Sequence, residues 1–129
     1  MANQFVVQLK NDPGAMATLA EALAARGVDL RAIGGGGIGD AGHVIMTTAD
    51  DETTRKVLDE GGYVYVEGES ILAEVDDKPG GMARLSRALA DAEVNIYGHL
   101  FLGRWGDRAM FAFVVDRPDV ARPILERKA

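Results

Sequence analysis

The chain has 129 residues, 47% of them hydrophobic and 26% charged, a balance that excludes a disordered polypeptide and fits a globular soluble protein. It has no cysteine, which excludes disulfides, zinc fingers and thiol catalysis, and its net charge of −6 opposes binding to a phosphate backbone. No apolar run approaches the roughly 20 residues of a membrane span, and the opening MANQFVVQLK lacks the order of a signal peptide, so a cytoplasmic protein with no membrane or nucleic-acid partner is expected.

In chain order, Gln4–Lys10 alternates Phe5, Val7 and Leu9 with Gln4, Gln8 and Lys10, the period-2 pattern of a half-buried strand. The turn Asn11-Asp12-Pro13-Gly14 follows, with Pro13 suited to the first helical position. Met16, Leu19, Ala20 and Leu23 then recur at helical spacing, and the helix should end near Arg26-Gly27. A second strand begins at Val28. The run Gly34-Gly35-Gly36-Gly37-Ile38-Gly39 is expected to form a mobile hairpin loop. It formally satisfies G-x-G-x-x-G, but a dinucleotide fingerprint needs a helix next, whereas Gly42–Ala49 reads as a strand. A helix over Asp50–Glu60, with Val57 and Leu58 apolar and acidic residues at its start, and a strand over Tyr63–Glu67 complete the first half.

The second half repeats this order: a strand over Ser70–Val75, the turn Asp77-Lys78-Pro79-Gly80, and a helix carrying Met82, Leu85, Ser86 and Leu89. A strand from Val94, a strand over Asp107–Val115, and a helix over Pro118–Arg127 with Val120, Ile124 and Leu125 follow. On the strand from Val94, the residues Asn95, Tyr97, His99 and Phe101 should alternate away from Ile96 and Leu100, leaving aromatic surface to be covered.

The halves align without a gap at an offset of 66 residues, pairing Pro13 with Pro79, Gly14 with Gly80, Met16 with Met82, Leu19 with Leu85, Leu23 with Leu89, Val28 with Val94, Gly37 with Gly103 and Asp50 with Asp116. The fold class is therefore α+β: two tandem ferredoxin-like βαββαβ modules over residues 1–67 and 68–129, each an antiparallel sheet with helices on one face. The chain stops where the second module's last strand would begin, and an open strand edge is usually covered, so a homodimer is expected.

The repeated turn carries the most chemical information. The first N–H groups of a helix have no internal partners and sit at the positive end of its dipole, so they suit a carboxylate, and glycine allows close approach. Read structurally, Asp12 is an N-cap and the glycine relieves turn strain. His43 and His99 lack companions at metal-ligand spacing, and Ser70 and Ser86 lack a nucleophile motif, so neither a metal nor a catalytic group is expected.

Taken as two copies, the chain resembles the ACT domain family. The family's Asp-x-Pro-Gly turn, apolar residue, leucine-spaced helix and Val/Ile-Asn-Ile strand opening stand complete in the second half as Asp77-Lys78-Pro79-Gly80, Met82, Leu85, Leu89 and Val94-Asn95-Ile96. In the first half Asn11 replaces the aspartate and Asp29, in Val28-Asp29-Leu30, replaces the asparagine. The resemblance implies that a small amino acid binds where the turn of one module faces the second strand of another. One site would join Asn11, Asp12, Gly14, Ala15 and Met16 to Asn95, and the other Asp77, Gly80, Gly81 and Met82 to Asp29. It implies a non-catalytic, cofactor-free regulatory protein whose state is read by a metabolic enzyme or regulator. The alternative is an oligomerising interaction module or regulatory subunit without ligand.

Overall fold

A computed structural model describes residues 3–126, which divide into two compact units, one ending at Gly68 and the other beginning at Glu69. The first unit is built from β1 (Asn3–Lys10), α1 (Ala15–Ala25), β2 (Leu30–Ile38), β3 (Ala41–Thr48), α2 (Asp51–Glu60) and β4 (Tyr65–Glu69), whose last residue begins the second. The second contains β5 (Ile71–Asp76), α3 (Gly81–Asp91), β6 (Ile96–Trp105), β7 (Arg108–Val115) and α4 (Pro118–Leu125). Arg127, the expected end of the last helix, lies outside the described residues. The strands form one sheet of order β2-β3-β1-β4 and one of order β5-β7-β6. This is the tandem ferredoxin-like α+β plan, with the second sheet lacking a fourth strand among the described residues. No described helix is long and apolar enough to cross a membrane.

The period-2 pattern places alternate residues of β1 and β3 on one face. Phe5, Val7, Val44 and Met46 meet Leu19 and Leu23 of α1 and Val57 and Leu58 of α2 in the first core. In the second, Ile71, Ala73, Phe113 and Val115 meet Leu89 of α3 and Ala121 and Leu125 of α4. Helix α2 starts as the acidic sequence requires: the Asp50 carboxylate accepts from the Thr53 N–H at 3.0 Å. Its Thr53 hydrogen bonds hold the Asp50 carboxyl below the usual aspartate value. The matching residue of the second module, Asp116, accepts instead from the Asn95 N–H at 2.9 Å, and α4 begins at Pro118 without a side-chain cap.

Five expectations are corrected. Pro13 and Pro79 precede the helices and do not occupy their first positions, and Asp12 is not the cap. The N-caps are Gly14 and Gly80, at φ 88° and 91°, and neither helix has a side-chain cap. The second strands begin two residues late because Val28 and Val94 still donate to the helix carbonyls of Leu23 and Leu89, at 3.0 and 2.9 Å. Likewise β4 begins at Tyr65, since Tyr63 donates to Leu58 across the Gly61-Gly62 turn. The glycine run is strand, not loop: Gly34, Gly35, Gly36 and Gly37 pair with Ile45, Val44, His43 and Gly42, and the turn falls at Gly39-Asp40. Finally, β6 does not alternate regularly. Bulges between Ile96 and Gly98 and between Phe101 and Gly103 reset its faces, so His99 and Phe101 stand opposite Phe113 and Phe111.

One buried-edge ion pair ties α2 to β4. Arg55 donates to Glu67 at 2.7 and 2.5 Å, and Asn3 adds a third bond at 2.8 Å. The Arg55 hydrogen bonds hold the Glu67 carboxyl below the usual 4.5. A depressed carboxyl stabilises the fold above its unfolded pKa and loses that contribution as pH falls through the folded value. Glu67→Gln is therefore expected to lower stability at neutral pH by about 1–2 kcal/mol. In urea titrations from pH 7 to pH 3, the gap between wild type and variant should shrink as the pH drops below the ordinary glutamate range. A gap independent of pH would remove the ion pair as its cause.

Candidate functional site

Each module opens a cleft beside its first turn. In the first, about 330 Å³ is enclosed by Leu9, Lys10, Asn11, Asp12, Ala15 and Met16 on one side and Ile33–Gly36, His43 and Val44 on the other. In the second, about 360 Å³ is enclosed by Val75, Asp76, Asp77, Lys78, Pro79 and Met82 against Arg104, Ala109 and Phe111. The two clefts share six repeat-related positions: 9/75, 10/76, 11/77, 12/78, 16/82 and 43/109. Each is of a size to hold a small metabolite, at the lower end of the range for small-molecule sites.

The geometry of the turn follows from its glycines. Gly14 and Gly80 adopt the left-handed conformation that favours glycine, and their carbonyls accept the first helical bonds, from Thr18 and Arg84, both at 2.9 Å. No side chain caps either helix; the Ala15 and Gly81 N–H groups donate to the Asp12 and Lys78 carbonyls at 3.3 and 3.1 Å, and Met16 and Met82, next in each helix, line the clefts.

Asn11 and Asp77 hold the far wall of their clefts, each by a different bond. The Asn11 Nδ2 donates to the Gly39 carbonyl at 2.8 Å, and its amide lies over Gly37, where a Cβ would fall 2.5 Å from the Asn11 Oδ1. Asp77 instead accepts from the Arg104 Nε at 2.7 Å. The exchange of Asn for Asp between the modules follows from the partner: a carbonyl needs a donor and a guanidinium needs a carboxylate. Position 104 corresponds to Ile38, which is exposed.

Of the expected site residues, Asn11, Asp12, Ala15 and Met16 line the first cleft, and Asp77 and Met82 the second. Gly14 faces a larger cleft on the other side of the turn, about 800 Å³, with Lys10, Asp12, Asp40 and Gly61–Val64. Gly80 is exposed in the turn, and Gly81 is buried, its Cα backing onto the Asp76 carbonyl. Asp29 and Asn95 are exposed and precede β2 and β6. Since Gly37 pairs with Gly42 and Leu30 with Thr48, Asp29 lies at the opposite end of its own sheet from Asn11. Asn95 is likewise at the far end from Asp77, because Ile96 pairs with Val115 while Asp76 pairs with Arg108.

Sequence reading missed three contributors. Arg104 and Phe111 enter the second cleft from β6 and β7, and the Gly61-Gly62 turn walls the larger cleft of the first module. Arg104 follows a bulge, which no periodicity reveals. The only signal available for it was the charge of Arg104 facing the acidic turn across the repeat.

Two successive ferredoxin-like modules, each with a ligand-sized cleft at an uncapped first helix, define the class of protein. The chain is similar to three solved structures over nearly its whole length. Protein BT0572 from Bacteroides thetaiotaomicron matches at TM-score 0.70 and 19% identity over 97% of this chain and 86% of that one. The regulatory subunit of aspartate kinase from Thermus flavus matches at TM-score 0.66 and 15% identity, covering 98% and 92%. The ligand-free form of the Thermus thermophilus subunit gives 0.59 and 17%, covering 97% and 89%. No family model and no curated protein matches the chain. The chain shares the fold of these structures, two ferredoxin-like modules in tandem.

Proposed function

We propose that this chain is a non-catalytic regulatory protein that binds a small amino acid at the turn clefts of its modules. The observation that carries this reading is the repetition of one cleft at equivalent positions of both modules, each beside a helix start with no side-chain cap. Backbone N–H groups there suit the ligand carboxylate, and side-chain oxygens such as that of Asn11 can accept from its ammonium. Asn11, Asp12, Ala15 and Met16, with Gly14 shaping their turn, make one site, and Asp77 and Met82, with Gly80 and Gly81 shaping theirs, make the other; Asn95 and Asp29 respectively complete them from a paired module. The regulatory subunits of aspartate kinase share the fold, which supports a regulatory role, and our reading places that role in a homodimer acting on a metabolic enzyme or regulator. Ligand shifts such a partner's state only as far as it binds one arrangement better than another.

The test is thermal unfolding in the presence of each of the twenty amino acids at about 1–10 mM, since ligand at roughly 100 times its Kd adds about 2.7 kcal/mol. A shift of several degrees for one chemically related group is expected, reduced in Asn95→Ala where the first turn's site is filled and in Asp29→Ala where the second's is. No shift with any amino acid would overturn the reading in favour of a ligand-free interaction module.

A further inference from the structure

The two clefts are equivalent in position and unequal in chemistry. Only the second contains an arginine, and its guanidinium is held on two sides. Its Nε edge is bound to the Asp77 carboxylate at 2.7 Å, and its carbon lies 4.7 Å from the centre of the Phe101 ring. Phe101 is itself fixed against Phe111, with ring centres 5.5 Å apart at 60°. A guanidinium gripped by one edge and one face loses most of its freedom before any ligand arrives, and the two Nη groups form the remaining fork, which matches a carboxylate. The Arg104 side chain is 61% exposed, so this fork remains accessible from solvent. Beside it, Val75, Met82, Ala109 and Phe111 supply the apolar part of a lining that also carries Asp76, Asp77 and Lys78. In the first module the equivalent residue is Ile38, so that cleft offers a carboxylate no such fork.

We propose that Arg104 is the carboxylate receptor of the second-module cleft, with Asp77 and Phe101 as its positioning residues, and that the cleft takes an α-amino acid with an apolar side chain. This rests on the amino-acid reading above. It makes the second module the occupied one, although the two turns share their Pro-Gly pair and the methionine two residues on. Asp77 acts here through the guanidinium, whose Nε it binds.

Trp105, the chain's single tryptophan, is exposed with its ring over Gly103 and does not line this cleft, so binding is read by isothermal titration calorimetry. Wild type and Arg104→Gln are titrated with L-leucine, L-methionine, L-aspartate and L-leucinamide, with circular dichroism to confirm folding. The expected result is saturable binding of leucine or methionine to wild type, with leucinamide and aspartate at least tenfold weaker. Arg104→Gln should bind leucine at least tenfold more weakly and lose the discrimination between acid and amide, while Arg104→Lys, which keeps the charge without the fork, falls between. Should amino acids raise the melting temperature of wild type while Arg104→Gln keeps both affinity and discrimination, the role of Arg104 is overturned and the sensor reading stands. Tight binding of aspartate in an Arg104-dependent manner overturns the apolar class alone. If no amino acid shifts the melting of wild type, both readings fall together.

Discussion

Phe113→Ala is expected to remove about 3–5 kcal/mol of stability, the cost of an unfilled cavity where an aromatic ring is fully enclosed. Phe113 is 1% exposed and sits in the middle strand of a three-stranded sheet, opposite Ile71 on one side and His99 on the other. Its ring lies 6.2 Å from that of Phe111 and 6.1 Å from that of His99, so the space it leaves cannot be closed by a small shift of one neighbour. A module of about sixty residues has only a few kcal/mol in total. The loss should therefore unfold most of the second module at room temperature. Urea titration followed by circular dichroism measures it, and the volume-sparing Phe113→Leu should cost less than half as much. A midpoint for Phe113→Ala within about 1 kcal/mol of wild type would mean that the second core is not organised around this ring.

Gly81→Ala is expected to cost about 2–3 kcal/mol, against the gain of up to about 1 kcal/mol that alanine normally brings to a helix. A Cβ at Gly81 would fall 2.2 Å from the Asp76 carbonyl oxygen and 3.0 Å from a Val75 methyl, and the first of these is backbone of a paired strand. The start of α3 must then retreat from β5, carrying Met82 away from the cleft, so amino-acid affinity should fall along with stability. Alanine occupies the corresponding position of the first module, Ala15, so the restriction belongs to the local approach of α3 to β5 and not to the turn motif. Gly14→Ala offers the control: nothing lies within 4 Å of a Cβ there, and only the left-handed backbone resists it, at about 1–2 kcal/mol. Should Gly81→Ala prove neutral or stabilising in the same urea titration, α3 does not approach β5 so closely.

The repeat made most of the fold legible, because Phe5, Val7 and Leu9 or Leu19 and Leu23 announce a face wherever packing follows period 2 or 3.6. It failed where backbone bonds or close approach decide. Four consecutive glycines read as a loop, yet β3 supplies partners for all of them, and at Gly35 a side chain would collide with the His43 carbonyl at 2.3 Å. The helix start was misplaced by one proline because the left-handed glycine, and not the proline or the aspartate, begins the hydrogen-bonding pattern. At the clefts the turn residues were legible from the resemblance. Arg104 was not, since a bulge after Phe101 determines which way it points.

The glycine-rich part of β2 has a kinetic consequence. Each glycine gives up more backbone freedom in a strand than alanine would, by roughly 0.5–1 kcal/mol, and β2 is the outer strand of its sheet, with Gly35, Gly36 and Gly37 all exposed. Its amides should therefore exchange with deuterium through local opening well before those of Val44 and Met46 on the strand beside it. Because Gly34, Gly35 and Gly36 also form one wall of the first cleft, that opening is a fluctuation of the wall itself. A molecule held in the first cleft would lie against a wall that frays, whereas the second cleft is walled at Phe111 and Arg104 by side chains instead of glycine backbone.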